Sequence, residues 1–246
     1  MFAGGVRVIA PWVVGIDGCP GGWVAVAQPK APGAPEEVRA EVAPRLVDLL
    51  ERFDAVGLAG IDMPIGLSGG GPRECDLAAR ARLGRRGSSV FPAPLRPALA
   101  ATTHHEASEV SREACGKGVS AQAWNLFPRV REVDRLLGEQ VAWREKLVEV
   151  HPELSFLAMN DGEPLPASKH RIDGIYRRRA LVAEAFGTAT IESVVAQLAG
   201  TRAKEDDMLD AFAVLWSARR WVEGRGVCLP ADPPRDSHGL PMRITF

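Results

Sequence analysis

Scarcity sets the first limits on this chain of 246 residues. Cysteine is scarce and scattered: Cys19, Cys75, Cys115 and Cys228 form no C-x-x-C pair. That spacing offers neither a zinc site nor a disulfide framework, and it fits a reducing compartment. Aromatic residues make up 6% of the chain, with a single Tyr, so no extended base-stacking platform is expected. Excess charge of either sign is missing as well. The 30 Lys and Arg against 31 Asp and Glu leave a net charge of −1, which excludes a polybasic coat protein and an acidic disordered tail. No apolar run approaches the roughly 18 residues of a membrane span. Pro11 and Asp17 interrupt the N-terminal apolar patch too early for a signal peptide, so the expected setting is cytoplasmic, with no membrane partner.

What is present is the mix of a globular protein, with 46% hydrophobic and 25% charged residues. The length allows one large domain or two small ones. Glycine and proline are plentiful but clustered, which reads as loops between elements. Residues 13–17, 23–27 and 38–42 read as three strands joined by turns at 18–22 and 30–35, an antiparallel meander. Leu46, Val47, Leu49, Leu50 and Phe53 recur at helical spacing. Residues 56–61 form a dense apolar run, the signature of a central parallel strand buried on both faces.

Further helices are expected at 73–83, 104–115 and 120–139, the last broken or restarted at Pro128, with an irregular stretch at 87–103. A strand should precede His151. Helices at 169–187, 190–199 and 204–222 follow, and short edge strands at 227–229 and 242–246 close the chain. The expected fold is α/β: a five-stranded mixed sheet flanked by helices, with a helical insertion near 70–140. Residues 1–11 form an arm, 12–222 the domain and 223–246 a Pro-rich end.

Carboxylates punctuate this pattern where chemistry could occur. Asp17 and Asp62 each end a strand, and if those strands are neighbours the two acids emerge at one end of the sheet. Asp207 and Asp210 open an apolar helix and are three residues apart, on adjacent helix positions. Converging carboxylates without basic partners raise each other's pKa, and a divalent cation removes that conflict. Oxygen donors suit Mg²⁺ or Mn²⁺ rather than Zn²⁺. Such ions can serve phosphodiester cleavage. The plainer alternatives are a turn-forming role for Asp17 and a helix-dipole role for Asp206 and Asp207.

Several segments together resemble a known family. Val14-Gly15-Ile16-Asp17-Gly18 with Gly22-Trp23-Val24-Ala25-Val26 is similar to the first hairpin of ribonuclease-H-like nucleases, in particular the Holliday-junction resolvase branch. Asp207-x-x-Asp210-Ala211 resembles the paired acids on that branch's last helix. More narrowly, Ile61-Asp62-Met63-Pro64-Ile65-Gly66-Leu67, Leu83-Gly84-Arg85-Arg86-Gly87-Ser88-Ser89, Val150-His151-Pro152-Glu153 and Ser168-Lys169 resemble the uncharacterised family of predicted ribonuclease-H-like nucleases catalogued as domain of unknown function 429. The resemblance implies a ribonuclease-H-like fold. It implies Asp17, Asp62, Asp207 and Asp210 as catalytic metal ligands for one or two Mg²⁺ or Mn²⁺ ions, and Glu153 as a further acid near them.

Local basic runs flank these acids although the total charge is near zero. Arg80, Arg85 and Arg86 lie in one, and Lys169, Arg171 and Arg179 in the other; both suit a phosphodiester backbone. Arg179 falls within an apolar stripe, four residues after Ile175 and seven after Ile172, and could reach a phosphate or snorkel. The hydroxyls of Ser88 and Ser89 and the backbone around them could bind a phosphate. His151 is expected beside the site rather than in it. The leading expectation is a divalent-metal-dependent nuclease acting on nucleic acid. The alternatives are a nucleotide-binding or phosphotransfer protein of the actin and sugar-kinase type, and a non-catalytic binding module. The insertion could shape a substrate groove or a homodimer interface.

Overall fold

The structure, a computed structural model, describes residues 11–30 and 38–246. The expected arm, apart from Pro11, and the turn at 30–35, apart from Lys30, lie outside the described residues. The meander forms as expected: β1 (Trp12–Cys19), β2 (Gly22–Pro29) and β3 (Arg39–Ala43) pair antiparallel in succession. Helix α1 (Leu46–Leu50) leads to β4 (Val56–Ile61), which returns parallel to β1. Strand β5 (Leu147–Glu149) adds parallel to β4, giving the order β3-β2-β1-β4-β5. This is the α/β, five-stranded mixed sheet expected from the sequence.

Between β4 and β5 the chain makes a helical insertion of α2 (Glu74–Leu83), α3 (His104–Cys115) and α4 (Ala121–Glu139). The stretch expected to be irregular carries short 3₁₀ turns at Gly84–Ser89 and Arg96–Ala100. Helix α4 does not break at Pro128. Pro128 lies on the exposed side, so the carbonyl it leaves unbonded can be hydrated, while Phe127, Val130, Val133 and Leu137 bury the other side. Packing of that apolar face outweighs the missing hydrogen bond.

After β5 come α5 (Pro152–Met159), α6 (Ile172–Phe186), α7 (Thr188–Gln197) and α8 (Glu205–Val222). Two short strands near the end, β6 (Cys228–Leu229) and β7 (Ile244–Thr245), pair antiparallel. Thr245 is fully buried, and its Oγ1 donates to the Glu149 carbonyl at 2.8 Å, tying the chain end to β5. Among the described residues no helix is long and apolar enough to cross a membrane.

The two-residue period of the strands decides which side chains meet α8. On one face of the sheet Trp12, Val14, Ile16, Ala59 and Ile61 pack with Leu46 and Leu49 of α1 and Phe127 and Val130 of α4. On the other face Val13 and Leu58 join α8 residues Leu209, Phe212 and Val214. The next positions along that second face are Gly15 and Gly60, which are register partners. A Cβ at Gly15 would lie 2.2 Å from both the Ala211 carbonyl and the Leu215 nitrogen, and one at Gly60 would lie 2.8 Å from the Val214 side chain. The two glycines therefore let the helix backbone approach the sheet. Two residues further, on the same period, come Asp17 and Asp62.

Candidate active site

The acids converge because of that geometry. Asp17 is the sixth residue of β1, and the Asp62 N–H donates to the Ile16 carbonyl at 3.0 Å, extending the parallel pairing. Asp210 lies one helical turn into α8, just before the Ala211 carbonyl that faces Gly15. Asp17, Asp62, Asp207 and Asp210 all line one cavity of about 410 Å³ at this end of the sheet. Asp17 and Asp210 are buried and Asp62 is half-buried. One Asp17 oxygen accepts the Gly18 N–H at 2.7 Å.

Among these acids stands one cation. Lys169, from the segment before α6, places Nζ 2.6 Å from Asp210 Oδ2. Burial works against its charge, but Asp210 and Asp17 more than offset that and raise its pKa. Lys169 does not neutralise the whole group. Burial, then the charges of Asp62 and Asp210, pushes Asp17 well above the usual carboxylate range. Burial likewise raises Asp62, against His151 and Lys169, and lifts Asp210 to about 6 against Lys169.

Asp207 has two roles. Its Oδ2 accepts the Lys204 N–H at 2.9 Å, capping α8, so the plain helix-start role is real even though the residue also lines the cavity. Glu153 also lines the cavity but is gripped by cations: Arg178 at 2.5 Å and Arg86 at 3.4 Å. It holds the cationic wall in place, and its charge also contributes to raising Asp62 and Asp210.

The expected basic residues divide. Arg86, Ser88, Ser89 and Lys169 line the cavity. Arg80 instead donates from Nε and Nη2 to the Val90 carbonyl, at 3.0 and 2.8 Å, and pins the segment after the 3₁₀ turn. Arg85 is exposed and does not line the cavity. Arg171 pairs with Asp173 on the surface. Arg179 pairs with Glu205 at 2.8 Å, in a separate groove beside α7. The apolar stripe of α6 runs through Gly174, Arg178, Leu181 and Val182, one residue out of phase with the expected one, so the inward-facing arginine is Arg178.

Three residues of the site were not singled out from the sequence, although Arg73 and Arg178 lie in its two basic runs. Arg178 is one. Arg129 of α4 lies over Gly18 and donates to the Cys19 carbonyl at 2.8 Å, bringing a cation to the cavity beside Asp17. Arg73 is buried beneath the cavity, bonded to Asp76 at 2.6 Å and Glu149 at 2.7 Å. Its Nη1 also donates to the carbonyls of Ile65 and Gly66, at 3.1 and 3.2 Å, which fixes the turn that follows Asp62.

The donor set suits a hard divalent ion: Asp17, Asp62, Asp207 and Asp210 offer carboxylate oxygens in one cavity, and Asp210 is paired with Lys169. The side-chain positions do not yet suit it. Among the described residues no group of three or more His, Cys, Asp or Glu side chains converges closely enough to hold a metal ion. The cation placed among the acids is Lys169 Nζ.

A family model matches residues 15–235, a span that includes all four aspartates, the cavity walls and the insertion. The chain belongs to the family described as Protein of unknown function (DUF429). Comparison with curated proteins and with solved structures gives no match. The family match reaches into the C-terminal segment through β6 and ends before β7.

Proposed function

We propose that the chain is a divalent-metal-dependent phosphodiesterase of ribonuclease-H-like type, acting on nucleic acid at the Asp17–Asp62–Asp210 end of the sheet. The observation that carries the reading is the convergence of carboxylates from β1, β4 and α8 in a cavity walled by Arg86, Arg129 and Lys169. The strand order β3-β2-β1-β4-β5, with a late acidic helix against β1, supports the same reading. Asp17, Asp62 and Asp210 are the residues that would hold Mg²⁺ or Mn²⁺, with the free oxygen of Asp207 beside them. When bound, such an ion supplies Lewis-acid polarisation of a phosphoryl oxygen. Arg86 and Arg129 orient and neutralise the phosphate. Lys169, paired with Asp210 at 2.6 Å, would compete with such an ion for that carboxylate and is the cation at hand for the substrate's charge.

The test is Mg²⁺- or Mn²⁺-dependent cleavage of single strands, hybrids and junctions by the wild type and Asp17→Asn. The expected result is cleavage lost in the variant; activity that survives Asp17→Asn unchanged refutes the site. A second reading, a binding module with the same fold, is favoured by the Lys169–Asp210 pair, which already supplies one cation internally. Calorimetric titration with Mn²⁺ separates the two: no binding by the wild type favours the module.

A further inference from the structure

The cavity has two chemically distinct walls, and neither is used by the acids. One wall is cationic and hydroxylic. Arg86 spends one Nη2 bond on Glu153 at 3.4 Å, and its Nε has no partner among the described residues. His151 Nε2 donates to the Ser89 carbonyl at 3.4 Å, which leaves its buried Nδ1 an acceptor without a partner there. Ser88 lines the cavity beside them, and the Ser89 hydroxyl donates to the Arg86 carbonyl at 2.8 Å. Unpartnered polar atoms in a buried wall are costly unless a ligand supplies the partner. The turn that carries them is built rather than loose. A Cβ at Gly87 would lie 2.8 Å from the Arg80 carbonyl, and Arg80 itself holds the Val90 carbonyl.

The second wall is apolar and carries one aromatic ring. Phe91 lines the cavity yet is 46% exposed, between the buried Val90 and the backbone of Ala93, whose N–H reaches Asp76 at 3.4 Å. Both of its flanks are tied down, so the exposed ring is part of the built surface. Leu126 of α4 and Pro92 extend this wall. At about 410 Å³ the cavity lies near the lower end of the roughly 300–1,000 Å³ of small-molecule sites. That is room for one nucleotide unit. A duplex engages a far larger protein surface, on the order of 1,000 Å² or more.

We propose that the cavity is a subsite for a single unpaired nucleotide, with its base on Phe91 and its phosphate on Arg86 and Ser88. The protein therefore takes single-stranded or frayed ends in preference to intact duplex. The inference rests on the phosphodiesterase reading and narrows its substrate class. It also accounts for the low aromatic content: one ring in a small cavity suffices where an extended platform needs several.

The experiment uses the full chain as Asp17→Asn with Mg²⁺ present, so that the probe stays intact. Fluorescence anisotropy follows a labelled single-stranded oligonucleotide and its blunt duplex, with a nucleoside monophosphate as competitor. The expected result is single strand bound at least tenfold tighter than duplex, competed by the monophosphate. Phe91→Ala should weaken single-strand binding about 5- to 100-fold while Phe91→Trp retains it. The exposure of Phe91 keeps both variants folded, checked by thermal melting. Equal affinity for duplex, or a neutral Phe91→Ala, overturns the subsite. Those results would leave Asp17-dependent cleavage standing, whereas selective binding without any wild-type cleavage would overturn the phosphodiesterase reading and keep the subsite.

Discussion

Replacing Arg73 by Met removes the one cation that two buried carboxylates share. The guanidinium makes six hydrogen bonds: two to Asp76, two to Glu149 and two to the carbonyls of Ile65 and Gly66. All three ionised side chains are at most 6% exposed. Burial already raises the Glu149 pKa in spite of Arg73, so the fold depends on this pair to keep the acid charged. Breaking a buried pair by deleting one partner costs about 3–5 kcal/mol, because the other charge is left uncompensated.

For a chain of this length about 1 kcal/mol corresponds to roughly 2–4 °C, so Arg73→Met should lower the melting temperature by about 6–20 °C. Urea denaturation at pH 7.5 reads the same loss as a shift of midpoint. The double variant Arg73→Met/Glu149→Gln should recover part of it, since the neutral amide can stay buried without a cation. A loss below about 1 kcal/mol refutes the reasoning. So does a double variant no more stable than Arg73→Met, because then the stranded charge was not the cost.

Two further outcomes follow from the acid cluster. Asp210 has its pKa raised to about 6 in the fold against 3.8 for the ordinary group. The stability this group contributes is therefore fully present below its unfolded pKa and is lost as pH rises through about 6. Asp210→Asn should gain on the wild type by ~1–3 kcal/mol between pH 4 and 7.5, measured by denaturant titration at both pH values; a constant difference contradicts the sign. Lys169→Ala should raise Mn²⁺ affinity at least about tenfold in calorimetry, because the ion no longer has to displace an ammonium. Unchanged affinity would show that Lys169 and the metal do not compete.

The sheet was legible in the sequence because its signals are local. Apolar runs at 13–16 and 56–61, each closed by an acid, marked β1 and β4, and the condition that would bring Asp17 and Asp62 to one end, that the two strands are neighbours, is met. A shorter signal lay in plain view: Gly15-Ile16-Asp17 and Gly60-Ile61-Asp62 repeat the same triplet, and each glycine marks where α8 crosses. The cationic half of the site was harder. Arg73 meets Glu149 across 76 residues, a pairing no local pattern carries. The α6 stripe was anchored on Ile172, which is 74% exposed, so the phase pointed to Arg179 instead of the buried Arg178. Glu153 followed a Pro at a helix start and resembled an acid of the site. Only the tertiary contact with Arg178 shows its carboxylate already taken.

The acids and the cations of the cavity come from different parts of the molecule. Asp17, Asp62 and Asp210 stand on β1, at the end of β4 and on α8, which are packed so closely that a Cβ at Gly15 or Gly60 would lie only 2.2 or 2.8 Å from α8. Arg86, Phe91 and Arg129 come from the insertion, and Lys169 from the segment before α6. Mutational tolerance should divide along the same line. A one-atom change at Gly15 disturbs two acids at once, whereas the cavity-facing side chains of Arg86 and Phe91 can be replaced without moving any of them. A library confined to residues 84–95 and the cavity side of α4 would thus explore new specificities on an unaltered chemical centre.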